Sequence, residues 1–173
     1  MTFRFGPVMQ LGFVVPDLEL AMQHWLQKVG LGPFFMIENV QYAEAYFRGA
    51  PANIEMSVAL AQWGEVQVEL IQQFNDTPSI YTEFPGRKLG GLQHCGVMTD
   101  DVKRDLAALR EEDIEPVQWG ATGNGIRFAY VATDAQPGGM IELIERGPAI
   151  NGFFQLVRDG AHNWDGKDPI RRF

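Results

Sequence analysis

Gln10, Glu69, His94 and Glu142 are the residues whose types and placement could do chemistry together. Each interrupts an apolar, strand-like run: "MQLGFVV", "VELI", "HCGV" and "IELI". Alternate side chains of a strand share a face. Gln10 therefore falls with Gly12 and Val14, opposite Met9, Leu11 and Phe13, and His94 falls with Gly96 and Met98, opposite Cys95 and Val97. Glu69 opposes Val68 and Leu70, and Glu142 opposes Ile141 and Leu143. A carboxylate buried on such a face without a partner costs several kcal/mol or is forced to take a proton. A cation shared by all four side chains removes that cost. One imidazole with three oxygen donors suits a divalent ion such as Zn, Ni, Co, Mn or Mg, with coordination positions left for water or substrate.

Singly, each residue has an ordinary reading. A Glu in "VELIQ" can be the solvated position of an edge strand, Gln10 a plain strand polar residue, and His94 a satisfied structural histidine. The case rests on the joint pattern, which steps back to the elements that carry it. Strand-like Met9 to Val15 leads into "DLELAMQHWLQKVG", where Leu18, Met22, Trp25 and Leu26 recur at helical spacing and Gly30 and Gly32 end the helix. Three β-like runs follow, at about 34–40, 43–47 and 54–61, and then "EVQVELIQQF". From Asn75 to Gly91 the composition turns to Asp, Thr, Pro, Gly, Arg and Lys, as in a linker. The order then restarts: "LQHCGVMTD" reads as a strand, "DVKRDLAALREED" as a helix, and "IRFAYVATD" and "GGMIELIERG" as two strands.

Setting Gln10 on His94 also sets Gly12 on Gly96, Asp17 on Asp101, Leu18 on Val102, Met22 on Leu106 and Trp25 on Leu109. "VELIQ" lies on "IELIE", so Glu69 meets Glu142. The four polar residues thus occupy the first and last strands of two matching halves with one parity, whereas Gln72 and Glu145 have the opposite parity. His24 lies in the first helix and His162 in the polar C-terminal segment, and both are expected at the surface.

A chain of 173 residues suffices for one domain, or for two small modules fused across a shared sheet. Its formal charge of −8 argues against a nucleic-acid groove, which needs clustered Lys and Arg. No run approaches the roughly 20 apolar residues of a membrane helix, and the first residues lack the pattern of a secretory signal, so a cytoplasmic protein with small-molecule partners is expected. The lone Cys95 suggests a buried, unreactive thiol.

At this point the chain resembles the vicinal oxygen chelate superfamily, which includes glyoxalases, bleomycin resistance proteins, dioxygenases and methylmalonyl-CoA epimerases. "MQLGFVVPDLELAMQHW" looks like that family's opening strand and helix, "LQHCGVMTDDV" like its second opening, and "FAYVATDAQPGGMIELIE" like its closing hairpin. The resemblance implies an α+β fold in which two βαβββ modules form a cupped mixed sheet around a metal. Module one would span 8–74, the linker 75–91 and module two 92–147, so that the domain covers 1–147 and a C-terminal helix and tail cover 148–173. The set Gln10, Glu69, His94 and Glu142 is similar to the Gln, Glu, His, Glu quartet of one glyoxalase I type. Methylmalonyl-CoA epimerases usually place His first and Gln second. The chain departs from glyoxalase I at Val14, where an Arg holds the glutathione carboxylate, and at Met140, where a Trp stands.

The resemblance implies a metal-dependent isomerase, epimerase or lyase that transfers a proton beside a carbonyl in an apolar substrate, without glutathione. Glu142 is its implied base and Glu69 the second candidate. A homodimer is the expected assembly. Two other readings keep the fold: a sequestering protein that binds small molecules without a metal, and a ring-cleaving dioxygenase, which wants two His and one carboxylate around iron. Tyr42, Tyr46, Met56, Arg127, Phe128 and Tyr130 lie on middle strands, and about half of them should face inward. The amphipathic stretch with Ile150, Phe153, Phe154 and Val157 is expected to pack on the domain or a second subunit, and Arg171 and Arg172 to be solvated or to bind an anion.

Overall fold

The computed structural model describes residues 5–132 and 139–173. Strand β1 (Val8–Val14) leads to helix α1 (Leu18–His24), whose N-cap Asp17 accepts from the Leu20 N–H. The helix widens into a π turn at Trp25–Val29 and stops at Gly30, whose φ of 73° is a left-handed conformation that glycine adopts without a Cβ clash. Strands β2 (Phe34–Ile37), β3 (Tyr42–Phe47), β4 (Ala50–Pro51), β5 (Met56–Trp63) and β6 (Val66–Gln73) follow. The second half holds β7 (Gly91–Thr99), α2 (Val102–Arg110), β8 (Pro116–Thr122), β9 (Arg127–Ala132) and β10 (Met140–Glu145). Helix α3 (Pro148–Ala161) and strand β11 (Ile170–Arg172) complete the chain.

The eleven strands of the described residues form one mixed, open sheet in the order β11-β2-β5-β6-β1-β7-β10-β9-β8-β3-β4. In one half β1 runs parallel to β6, with β5 and β2 continuing antiparallel. In the other β7 runs parallel to β10, with β9 and β8 continuing antiparallel. The halves meet where β1 and β7 pair antiparallel. This is the α+β arrangement of two βαβββ units expected from the repeat. Its symmetry extends to the polar positions of opposite parity. The Gln72 side chain accepts from the Leu18 N–H at 2.9 Å, and Glu145 accepts from the Val102 N–H at 3.0 Å, so each last strand caps its own module's helix. Asp101 caps α2 as Asp17 caps α1.

Helices α1 and α2 cover the outer face of the sheet. Leu18 and Met22 pack with Phe34, Val68 and Leu70, while Val102, Leu106 and Leu109 pack with Val97, Ala129 and Leu143. The inner face holds a third apolar cluster, and α3 lies on it with Ile150, Phe154 and Val157 buried. Each central strand is therefore apolar on both faces, which is why polar residues on the inner face stand out. No helix among the described residues is long and apolar enough to cross a membrane.

Several expectations need correction. β8 is absent from the sequence reading because Pro116, Gly120 and two polar residues break its alternation; its first residue is buried against β9. The run from Phe34 ends as a strand at Ile37, two residues before Asn39 turns with φ 51°. The segment from Asn75 to Gly91, composed like a linker, buries Ser79, Ile80 and Tyr81. Cys95 is partly rather than fully buried, and burial raises its thiol pKa, in keeping with low reactivity. Arg172 pairs with Glu19 and Glu38, and Arg171 lies over the Phe35 ring, so both serve the docking of β11. Residues 133–138 of the closing hairpin lie outside the described residues.

Candidate metal centre

The four side chains are aligned by strand register. Across the sheet, Glu69 of β6 pairs with Gly12 of β1, which pairs with His94 of β7. In the neighbouring row Gln10 of β1 pairs with Gly96 of β7, which pairs with Glu142 of β10. Each row has a glycine where a side chain would otherwise block the centre. A Cβ on Gly12 would lie 1.9 Å from His94 Cε1, and one on Gly96 would lie 2.9 Å from Gln10 Oε1. The sequence match of Gln-x-Gly to His-x-Gly is thus a reciprocal packing relation: each module's glycine makes room for the other module's polar side chain.

The arrangement brings all four residues to one place. His94 Nε2 stands 3.5 Å from Glu69 Oε2 and 3.4 Å from Glu142 Oε2, and one ligand atom from each of the three lies within 4.8 Å of the others. Two donors each about 2.1 Å from a common ion lie about 3.0 Å apart at a right angle and about 3.4 Å apart at a tetrahedral angle. The two His94–carboxylate spacings fit such an ion. Gln10, His94 and Glu142 are buried, and Glu69 is partly so.

Hydrogen bonding orients the donor atoms inward. His94 Nδ1 lies 2.8 Å from Gln93 Oε1, which can only accept, so Nδ1 carries a proton and Nε2 faces the cavity, free to serve as a ligand atom once its own proton leaves. Gln93 reaches its neighbour because the β1–β7 register steps from Gly12/His94 to Phe13/Leu92, a bulge that leaves Gln93 unpaired. The Gln10 amide nitrogen turns to Gln67 Oε1 at 3.4 Å, leaving Gln10 Oε1 free. Gln10 Oε1 is buried without a hydrogen-bond partner, which costs about 1–3 kcal/mol unless something binds it, and His94 Nε2 makes no well-formed hydrogen bond, having only the two carboxylates at 3.4 and 3.5 Å. The Tyr130 ring stands edge-on to the imidazole, with centroids 5.1 Å apart, and limits its movement.

Burial opposes the His94 cation, but Glu142 and Glu69 outweigh it and push its pKa up to about 9. Burial raises Glu69; His94 pulls it down and Glu142 pushes it up. These shifts describe a cluster of negative charge that holds a proton where a metal could sit. Gln10, Glu69, His94 and Glu142 could together hold a divalent ion. His24 and His162 are exposed, away from this cluster, so the described residues do not assemble two His and a carboxylate.

The cluster opens into a cavity of about 300 Å³ between the sheet and α3. Of the middle-strand residues, Tyr42, Met56, Phe128 and Tyr130 line it, whereas Tyr46 stacks on Trp119 and Arg127 pairs with Glu145. The Tyr81 and Tyr130 hydroxyls lie 2.9 Å apart, and burial raises both pKa values, so the phenols stay protonated. Gln67, Tyr81 and Gln93 were missed by sequence reasoning. Gln67 shares the parity of Glu69 and could have been found that way; Tyr81 sits in the linker-like segment, where composition hides it.

The chain matches the family model described as the Glyoxalase/Bleomycin resistance protein/Dioxygenase superfamily over residues 9–130. No curated protein matches it. Among solved structures it is similar to the methylmalonyl-CoA epimerase from Mycobacterium tuberculosis, with TM-score 0.59 and 16% identity over 88% of this chain and 95% of that one. A hypothetical protein from Bacillus halodurans gives TM-score 0.61 and 14% identity over 82% and 94% of the two chains. The methylmalonyl-CoA epimerase from Streptomyces coelicolor, in complex with 2-nitronate-propionyl-CoA, gives 0.56 and 13% over 83% and 96%. At these identities the likeness is one of fold.

Proposed function

The chain belongs to the glyoxalase/bleomycin resistance protein/dioxygenase superfamily, and within it we propose a metal-dependent enzyme that moves a proton on a carbon next to a carbonyl. The observation that carries this reading is the pair of buried, unpartnered donor atoms, His94 Nε2 and Gln10 Oε1, facing the carboxylates of Glu69 and Glu142. Gln10, Glu69, His94 and Glu142 hold the ion in this proposal. A divalent ion bound there supplies a Lewis acid that stabilises negative charge on the substrate's carbonyl oxygen.

Glu142 is the proposed base. Its carboxylate lines the cavity, takes the proton from the carbon beside the carbonyl, and returns it to another face or a neighbouring atom. The first outcome is epimerisation and the second isomerisation. Glu69, on the opposite strand of the cluster, is the alternative donor and acceptor.

The test is hydrogen exchange in heavy water. With the metal-loaded protein, an α-hydroxyketone should exchange its α-hydrogens, and Glu142→Gln should slow that exchange on the order of a hundredfold or more while metal content is retained. Equal exchange by wild type and the variant would move the base to Glu69. Tight binding with no exchange by wild type would instead favour a sequestering protein.

A further inference from the structure

Resting on the proton-transfer reading above, we infer that the substrate is a compact, uncharged, apolar α-oxygenated ketone, and that coenzyme A esters and glutathione conjugates are excluded. The inference starts from charge. Among the described residues lining the cavity, the carboxylates Glu69 and Glu142 are the charged side chains, and neither Lys nor Arg is present. The polar handles of the remaining wall are chiefly the hydroxyls of Tyr42, Tyr81 and Tyr130, with Thr122 and Asn124 at one side. All three phenols have raised pKa values, through burial first and the nearby carboxylates as well, so they offer neutral hydrogen bonds.

A neighbouring groove carries the same sign. An outer groove of about 850 Å³ shares Val40, Tyr42 and Met56 with the inner cavity, and its wall adds Glu44 and Glu55 but no described Lys or Arg. Nearby cations are engaged elsewhere: Arg48 with Glu83 at 2.6 Å and Arg127 with Glu145 at 3.1 Å. Coenzyme A would bring its phosphates, and glutathione its own carboxylates, to walls that offer no described Lys or Arg as counter-charge. An anion drawn from water onto such walls loses hydration that no cation there replaces. A divalent ion with Glu69 and Glu142 sums to zero, so a neutral substrate leaves the site in balance.

Size and shape narrow the class further. Helix α3 roofs the cavity with Ile150, Phe153 and Phe154, and Phe173 closes one side by stacking on Phe35 and meeting Phe153 edge-on. The last strand is tied down, since Arg172 pairs with Glu38 at 2.6 Å and also with Glu19. The half-open cavity of about 300 Å³ takes on the order of ten non-hydrogen atoms if each fills roughly the 30 Å³ that a water occupies in the liquid. Phe128, Phe153 and Phe154 offer ring faces and edges, so a ring beside the ketone completes the packing.

The probe is 2-hydroxyacetophenone, which has a ring, a carbonyl, an adjacent oxygen and no charge. Zinc-loaded full-length protein is titrated calorimetrically with it and with methylmalonyl-CoA, and α-deuterium exchange of both is followed by NMR. The hydroxyketone should bind at least tenfold more tightly than the coenzyme A ester. Phe153→Lys, which sets a cation in the roof at a half-buried position, should weaken the hydroxyketone and narrow or reverse that ratio. Equal or tighter binding of methylmalonyl-CoA by wild type, or no binding of the hydroxyketone, overturns the inference whether or not the variant folds. Hydroxyketone binding without exchange would uphold this substrate class and refute proton transfer; exchange confined to the coenzyme A ester would do the reverse.

Discussion

Replacing Gly12 with alanine tests the site's construction at the point where both modules meet. The added Cβ would stand 1.9 Å from His94 Cε1, against the 3.4 Å or more of an ordinary contact, so the imidazole must retreat by about 1.5 Å. It cannot swing freely, because Tyr130 stands edge-on at 5.1 Å and Gln93 holds Nδ1 at 2.8 Å. A metal–nitrogen bond of about 2.1 Å does not survive a displacement of that size. Forcing one extra carbon into a packed interior costs about 1–3 kcal/mol, and for a chain of this length each kcal/mol lowers Tm by about 2–4 °C. Gly12→Ala should therefore melt several degrees lower and lose bound metal. Gly96→Ala is the matched control. There the nearest atoms are Gln10 Oε1 at 2.9 Å, the far end of a flexible side chain, and Gln10 Cβ at 3.0 Å, so a shift of a few tenths of an ångström suffices: the loss of Tm should be smaller than for Gly12→Ala and metal affinity reduced but not abolished. The assays are thermal melts and elemental analysis after gel filtration. A Gly12→Ala protein with wild-type Tm and full metal content would refute the reciprocal packing and the place of His94 in the centre.

Stripping the metal with a chelator should lower Tm, since the ion binds only the folded cluster; at a free-ion concentration a hundred times Kd the stabilisation is about 2.7 kcal/mol, or roughly 5–10 °C. Unchanged melting with and without zinc would contradict a metal site. His94 is pushed up to about 9 by Glu142 and Glu69 against the opposing effect of burial, so before the ion binds it is protonated at neutral pH. The ion needs the neutral ring, so binding should release a proton and affinity should climb about tenfold per pH unit from pH 7 towards 9, then flatten. Calorimetry in buffers of different ionisation enthalpy measures that proton count. Gln93→Leu removes the acceptor for His94 Nδ1 and should weaken metal binding about 10–100-fold while leaving the far-ultraviolet circular dichroism intact; equal affinity would show that the bulge does not orient the ring.

The ligand-like residues were legible in the sequence because local rules govern them. Strand parity put Gln10, Glu69, His94 and Glu142 on inner faces, and repeat spacing paired Asp17 with Asp101 and Met22 with Leu106. Those relations depend on alternation and on helical period, which any short window of sequence displays. β8 was lost because Pro116 and Gly120 obscure its period, and its pairing with β9 supplies what its own sequence lacks.

What only the tertiary structure decided involves partners distant along the chain. The amino-acid sequence determined the two-module α+β plan and the inner-face placement of Gln10, Glu69, His94 and Glu142. It could not say that Gly12 exists for His94, that a bulge turns Gln93 onto the ring, or that Tyr81, in a segment composed like a linker, meets Tyr130 beside the cluster. Nor could it choose between the domain and a second subunit as the surface under α3, which lies on the inner face of its own sheet and gives the cavity its aromatic roof. Such contacts are selected by the register of strands and the volume left between layers, and those are properties of the assembled sheet rather than of any one segment.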